Sequence, residues 1–154
     1  MTDAPETTPR LLPPVYFFAA MAAMAALWWW LPLVTLAGWP WRAVGFVVIA
    51  AGVALAMWAF GLFQRAGTGV KPFSPSTALV VHGPYRWTRN PMYVSLTAGL
   101  IGWGIVLGAL SPFVVVPFFV WWIHGRFVLR EELHMERHFG DDFRAYMTRV
   151  RRWI

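Results

Sequence analysis

The sequence predicts an all-α integral membrane protein that has about four transmembrane helices, a cytoplasmic cap loop and C-terminal amphipathic helices. Hydrophobic residues occupy 58% of the 154 positions, whereas charged residues occupy only 13%. All seven acidic residues lie before position 7 or after position 130, so the long stretch between them contains no carboxylate. A water-exposed surface is normally rich in charge, and we therefore expect most of the chain to be surrounded by lipid.

Four apolar runs account for the predicted spans, because about 20 apolar residues cross a bilayer core of roughly 30 Å. Pro112 leaves almost no room for a loop between the last two runs, which predicts a tight helical hairpin. Tryptophans crowd the turn between the first two runs, as expected at a membrane interface. The predicted spans are residues 14–37, 43–64, 91–110 and 111–129.

The segments outside these spans are more polar. Residues 1–13 are rich in Pro and Thr, which predicts a disordered N-terminus, and residues 14–154 form a single domain. Residues 65–90 carry Gly and Pro at turn positions, so we expect an ordered cap over the bundle. Residues 130–154 predict two helices separated by Gly140. The second helix suits either an anionic membrane surface or packing against the cap, and its apolar residues recur at helical spacing: Phe143, Tyr146, Met147, Val150 and Ile154.

Basic residues orient the predicted bundle. With four spans, the N-terminus, the cap and the C-terminus share one side, and twelve of the thirteen Lys and Arg residues fall there. Only Arg42 lies opposite. The positive-inside rule therefore predicts a multi-pass protein of a bacterial inner membrane with both termini in the cytoplasm. The net charge of +6 is thus a topology signal, and we expect no nucleic-acid partner because no basic stripe accompanies a soluble fold.

Composition excludes several classes of site. The chain has no Cys, which rules out disulfides, thiol nucleophiles and Cys-based zinc sites. The acid-free core rules out the pair of core carboxylates that glycosidases use. His134 and His138 have the spacing of helical metal ligands, but HMERH lacks the Glu that directly follows the first His in zinc proteases. We therefore expect no metal.

The polar segments carry a specific pattern. The run LVVHGPYRWTRNPMY is followed by a Gly-rich span, an apolar hairpin, the pair EE, Met135, FG, Phe143, Tyr146 and VRRW. This pattern resembles the isoprenylcysteine carboxyl methyltransferase and phospholipid methyltransferase superfamily over about residues 67–154. The resemblance implies a membrane enzyme that binds S-adenosylmethionine between the cap and the C-terminal helices and transfers the methyl group to a lipophilic acceptor.

The resemblance also implies which residues bind the cofactor and the acceptor. In relatives an Arg just before the Glu after the last span helps to bind the acceptor, and Arg126 is the best candidate here. Asn90 stands where many eukaryotic relatives have His, so a role that needs imidazole protonation is not carried over. The chain has fewer spans than the larger eukaryotic members, which leaves the identity of the acceptor open. The implied cofactor-binding residues are Thr77, Ala78, Leu79, Val80, Tyr85, Asn90, Pro91, Met92, Tyr93 and Glu131.

The residue types agree with this chemistry. Methyl transfer from a sulfonium needs positioning, desolvation and electrostatics, and it needs no nucleophilic side chain. A carboxylate acceptor is ionised at neutral pH, whereas an amine must first lose a proton, so the scarcity of acids favours an anionic acceptor. Arg126 and Arg130 lie at i and i+4 and, with Arg89, either hold such a group or bind lipid phosphates. The predicted catalytic residues are Arg126, Arg89 and Glu131.

Nearby residues receive structural interpretations. Glu132 is expected to be a solvated helix residue, since it lies at i and i+4 to Glu136. Trp87 is expected to anchor the chain at the membrane interface more readily than to cover the cofactor. The glycines of the third span are expected to allow close helix packing.

Two other functions stay open at this point. The first is an NADPH-dependent membrane enzyme similar to the sterol reductases, whose C-terminal region resembles the same motifs. The second is a non-catalytic membrane scaffold. The sequence does not distinguish a prenylated protein, a phospholipid amine or a small isoprenoid acid as acceptor, and it does not predict an oligomeric state.

Overall fold

The computed structural model of the chain describes residues 12–35, 38–67 and 78–154. The described part is helical, and its β-type pairing consists of two isolated bridges, Thr35 with Ala109 and Thr88 with Arg151. The predicted disorder of residues 1–13 falls mostly outside this part, as do Thr77 and most of the first half of the predicted cap. The described residues form the α-helices α1 Pro13–Trp30, α2 Trp39–Arg65, α3 Pro91–Leu107, α4 Val115–Ile123, α5 Leu129–Phe139 and α6 Asp141–Arg149.

Shorter helical segments connect these helices. A 3-10 turn, Gly83–Arg86, precedes α3, and a second one, Ser111–Val114, precedes α4. A single π-helical turn, His124–Val128, joins α4 to α5 without a break in the chain's helical course. By length and composition, Trp39–Arg65 and Ser111–Phe139 are long and apolar enough to cross a membrane, and Pro91–Leu107 is a shorter apolar helix. The count of four spans stays a prediction.

Two helices end earlier than the predicted spans, each because of a local backbone effect. The helix predicted for residues 14–37 ends at Trp30, since Pro32 lacks a backbone N–H and disfavours helical geometry at the residue before it. The helix predicted for 91–110 ends at Leu107, where Gly108 adopts the left-handed conformation of a C-cap. The helix of the fourth span was predicted to continue past residue 129 as far as Gly140, and helical structure does continue to Phe139.

Glycines let α3 pack closely against α2. A Cβ at Gly45 would lie 2.7 Å from the carbonyl oxygen of Gly102, and a Cβ at Gly102 would lie 2.7 Å from the carbonyl oxygen of Gly45. A Cβ at Gly52 would lie 3.0 Å from the Ser95 carbonyl oxygen. These distances leave no room for a side chain between the two helices, so the packing predicted for the third-span glycines is confirmed.

A separate apolar core joins α1, α3 and the helix formed by α4 and α5. Met24, Leu100, Ile123, Phe127 and Val128 are fully buried in it. Large apolar side chains cover the outside of the helices, and Trp29, Trp30, Trp39 and Trp121 are among the exposed ones. Such a surface is favourable in lipid and unfavourable in water.

The last five residues form an extended tail. The sequence predicted that the final helix would include Val150 and Ile154, but α6 ends at Arg149. Val150 turns into an extended conformation, and this lets Arg151 pair with Thr88 on the segment that precedes α3. Residues 150–154 are called the C-terminal tail below.

Candidate functional site

One large cavity, of about 610 Å³, lies where the start of α3 meets α2, α5 and α6. Leu12, Pro13 and Pro14 close it on the side of α1, and Ala56, Met57, Phe60 and Phe63 contribute the face of α2. Its volume is in the usual range for sites that bind small molecules or cofactors. Its polar lining residues are concentrated around the start of α3 and on α5: Arg89, Asn90, Tyr93, Ser95, Glu131, Glu132 and His134.

Most of the site residues predicted from sequence line this cavity. Two predicted residues do not: Ala78 and Arg126 are absent from its lining, and Thr77 lies outside the described residues. Residues from the cap, the start of α3 and α5 thus meet around one space, although up to about 50 positions separate them in the chain. The predicted residues that line it are Leu79, Val80, Tyr85, Arg89, Asn90, Pro91, Met92, Tyr93 and Glu131.

Glu131 and Tyr93 form a direct pair in the cavity wall. Pro91 occupies the first turn of α3, where its missing N–H costs nothing, and this places Tyr93 at the very start of the helix. The Tyr93 hydroxyl donates a hydrogen bond of 2.7 Å to Glu131 Oε1 in the first turn of α5. Tyr93 is buried and Glu131 half-buried. The hydrogen bond fixes one carboxylate oxygen and holds the group in a defined orientation toward the cavity.

Glu132 is buried, so the prediction of a solvated residue was wrong. Its Oε1 accepts a hydrogen bond of 3.0 Å from Arg89 Nε, and its Oε2 accepts one of 2.9 Å from Arg152 Nε. The side chains of Arg89 and Glu132 are each only 10% exposed. The physical reason for the error is that two arginines distant in sequence converge on this carboxylate. A buried charge is tolerated when it is paired and hydrogen-bonded in this way.

The C-terminal tail is fastened to the segment that enters α3. The Arg152 carbonyl oxygen accepts hydrogen bonds from Thr88 Oγ1 at 3.1 Å and from Asn90 Nδ2 at 3.0 Å. The Arg89 backbone N–H donates to the Arg151 carbonyl oxygen at 2.9 Å. The side-chain amide of Asn90 therefore helps to hold the C-terminal tail. The sequence predicted no specific role for Arg152.

Helix α6 supports the cavity from the other side through two aromatic residues. The Tyr146 hydroxyl donates a 2.7 Å hydrogen bond to the Tyr85 carbonyl oxygen. Burial raises the pKa of Tyr146 to about 12, against the opposing effect of the nearby Arg89 guanidinium, so the phenol stays protonated and remains a donor at neutral pH. Burial also raises the pKa of Tyr85 above its ordinary value. Phe143 packs beside Tyr146, with ring centroids 6.0 Å apart. Their i, i+3 spacing predicted an apolar helix face, but not that this face closes the cavity.

Arg126 has a different environment from the other predicted residues. It lies in the π-helical turn, and its Nε is buried and has no hydrogen-bond partner in the described part of the chain. Arg126 lies within this π turn, and Arg130 follows it in the first turn of α5. Arg126 is half-buried, whereas Arg130 is exposed.

Comparisons with known proteins agree with this fold. The sequence profile of the phospholipid methyltransferase family matches residues 40–142. An uncharacterized protein of Haemophilus influenzae (strain ATCC 51907 / DSM 11121 / KW20 / Rd) is 38% identical over 63 residues, which are 41% of this chain and 100% of that protein. The fold is similar to that of the eukaryotic intramembrane Ras methyltransferase, isoprenylcysteine carboxyl methyltransferase, with a TM-score of 0.63 and 24% identity.

That structural match covers 90% of this chain and 47% of the eukaryotic protein, so the chain spans about half the length of its structural neighbour. The family profile covers well over half of the present sequence, including α2, α3, the π turn and α5. The chain therefore belongs to the phospholipid methyltransferase family.

Proposed function

We propose that this protein transfers a methyl group from S-adenosylmethionine to a lipophilic acceptor, at a site on the cytoplasmic side of a four-span membrane bundle. The observation that carries this proposal is the composition of the large cavity. Its polar side chains gather around the start of α3 and on α5, and its apolar side chains extend along α2 to the start of α1. The polar part of such a cavity suits a water-soluble cofactor, and the apolar part suits a membrane-soluble acceptor.

The residues present fit S-adenosylmethionine. The Glu131 carboxylate, oriented by Tyr93, offers an anionic acceptor for an ammonium group or for ribose hydroxyls. Tyr85, Phe143 and Tyr146 line the same space and offer aromatic surface for a base or a sulfonium, since aromatic faces attract cations. The cavity volume of about 610 Å³ is sufficient for a ligand of this size with space remaining.

The chain's own residues then act by positioning and by excluding water. When bound, the cofactor supplies an activated methyl group together with its leaving group. Tyr93 holds the Glu131 carboxylate in one orientation, and Tyr146 holds the backbone at Tyr85. The Glu132 ion pairs with Arg89 and Arg152 keep the C-terminal tail against the start of α3. These contacts are made within the chain itself, and groups held in fixed positions in this way favour catalysis by positioning.

The apolar part of the cavity suits the tail of a lipophilic acceptor. Met57 and Phe60 of α2 line it and are 69% and 45% exposed. Leu12 at the start of α1 is likewise both lining and 52% exposed. The cavity therefore reaches the surface that lipid covers, and an acceptor has a route into it from the side.

Arg89 is the residue we assign to the acceptor headgroup. It lines the cavity, whereas Arg126 does not. A guanidinium pairs well with a carboxylate or a phosphate. A carboxylate or other anionic headgroup therefore fits better here than a protonated amine.

Transfer of labelled methyl groups tests this proposal. Purified protein is incubated with methyl-labelled S-adenosylmethionine and a total membrane lipid extract, and labelled products are identified by mass spectrometry. We expect a labelled lipophilic product with the wild-type chain and strongly reduced labelling with Glu131→Gln, while Glu136→Gln serves as a matched surface control. Equal labelling by the wild type and Glu131→Gln would overturn the assignment of the site. Stabilisation by NADPH in place of S-adenosylmethionine would support a reductase instead.

A further inference from the structure

A second recess lies on the outside of the bundle, next to the 3-10 turn that precedes α3. It has a volume of about 390 Å³ and is lined by Trp58, Gly83, Arg86 and Trp87. None of these four residues lines the large cavity. The 3-10 turn Gly83–Arg86 therefore contributes to both spaces, with Tyr85 at the cavity and Gly83 and Arg86 at the recess.

The two tryptophans of the recess are packed against each other but remain accessible. Their ring centroids are 5.8 Å apart and their planes are inclined at 77°, an edge-to-face arrangement. Trp58 is 46% exposed and Trp87 is 66% exposed. A Cβ at Gly83 would lie 3.3 Å from Trp58 Nε1, so the indole N–H edge of Trp58 faces the turn that carries Arg86. Glycine at this position keeps the recess open.

Arg86 brings a positive charge to this aromatic recess. Its side chain is exposed. A guanidinium binds phosphate oxygens with well-defined geometry, and indole N–H groups are donors without acceptor capacity. The ligand that matches these donors is an anion of phosphate type.

The position of the recess indicates which kind of phosphate it meets. Trp58 lies seven residues before Arg65, the end of α2, which corresponds to roughly 10 Å along the helix axis. Trp87 lies four residues before α3 begins. Tryptophans at such positions mark the level of lipid headgroups, and the inner leaflet carries anionic lipids. Exposed apolar residues of α2 continue from Trp58 at helical spacing toward the acyl-chain region, namely Ala54, Ala51 and Val47.

We propose that this recess binds the phosphate group of an anionic glycerophospholipid, as a site separate from the methyl-transfer cavity. Arg86 pairs with the phosphate, the Trp58 and Trp87 rings flank the glycerol region, and the acyl chains lie along α2. Trp87 is thereby assigned a contact with a bound lipid, in addition to the predicted anchoring at the membrane interface. The proposal does not depend on the identity of the methyl acceptor.

Lipid binding to the full-length protein tests the proposal. The purified protein in detergent is titrated with phosphatidylglycerol or with phosphatidylcholine of the same chains, and bound lipid is counted by native mass spectrometry. We expect preferential retention of phosphatidylglycerol, and an affinity about tenfold lower for Arg86→Gln. Arg86→Lys should retain part of the preference. Arg149→Gln, an exposed arginine of α6 outside the recess, should bind phosphatidylglycerol as the wild type does.

Two further experiments test whether the bound phosphate belongs to a lipid and whether the indole N–H contributes to binding. Inorganic phosphate at millimolar concentration should not displace phosphatidylglycerol, and displacement would overturn the assignment to a lipid. Trp58→Phe keeps an aromatic ring but removes the N–H donor, so it should also lower retention. The proposal would be wrong if Arg86→Gln and Arg149→Gln retained phosphatidylglycerol equally, or if the wild type did not distinguish the two lipids.

Discussion

Arg89 and Glu132 lie 43 residues apart in the chain and are joined by a 3.0 Å hydrogen bond between Nε and Oε1, with each side chain only 10% exposed. Arg152 completes the arrangement through Oε2 of the same carboxylate. Because Arg89 also donates to the Met147 carbonyl oxygen at 3.1 Å, the start of α3, helix α5 and the C-terminal region are held at one point. This network forms one wall of the proposed active site.

Replacement of Glu132 should therefore destabilise the fold. Glu132→Gln leaves two guanidinium groups without their carboxylate, and we expect a loss of roughly 2 to 4 kcal/mol, somewhat below a fully buried pair because Arg152 is partly exposed. Chemical denaturation in mixed micelles measures this change. The matched control is Glu136→Gln, which breaks an exposed pair with Arg144 and should cost less than about 1 kcal/mol. Equal effects of the two substitutions would show that the network does not stabilise the fold.

Close contact of α2 and α3 predicts a strong difference between two glycines of the same helix. A Cβ at Gly45 meets backbone atoms of α3 at 2.7 Å and cannot be accommodated by a side-chain movement alone. Gly45→Ala should cost about 1 to 3 kcal/mol. A Cβ at Gly61 meets no atom within 4 Å, so Gly61→Ala should be neutral or slightly stabilising. Thermal unfolding in detergent measures the stability of both variants. A Gly45→Ala protein as stable as the wild type would contradict the close packing of α2 against α3.

The hydrogen bond from Tyr146 to the Tyr85 backbone predicts a specific effect of removing one oxygen. Tyr146→Phe leaves the buried carbonyl without its donor and should destabilise the protein by about 1 to 3 kcal/mol. It should also weaken cofactor binding, since Tyr85 lines the cavity. The control is Tyr16→Phe, because the Tyr16 ring packs against Trp122 and Phe127 and its hydroxyl is not used in the described hydrogen bonds. If both variants behaved as the wild type, Tyr146 would have no supporting role.

Much of the fold could be predicted because local signals agreed with each other. The Asn90–Pro91 step marked the start of α3, and the acid-free apolar runs indicated the membrane environment. Helix ends were harder, since Pro32 and Gly108 act on single residues within long apolar runs. Apolarity alone did not show where helical structure stops.

The candidate site was predicted in part for a different reason. The resemblance supplied residues near Tyr93 and Glu131, and these line one cavity. Glu131 and Glu132 are adjacent, and only the three-dimensional arrangement shows that Arg89 and Arg152 converge on the second one. The contacts of the C-terminal tail with Thr88 span more than 60 positions, and no periodicity within either segment signals them.

Binding of S-adenosylhomocysteine, the demethylated cofactor, tests the central claim most directly. Isothermal titration calorimetry of the purified protein in detergent should give one site per chain for the wild type and for Glu136→Gln. Glu131→Gln should bind at least about tenfold more weakly, because a hydrogen bond to a charged group is lost. Each variant's thermal unfolding is measured alongside, so that misfolding is recognised. Absence of binding by well-folded wild-type protein, or unchanged binding by well-folded Glu131→Gln, would contradict the account.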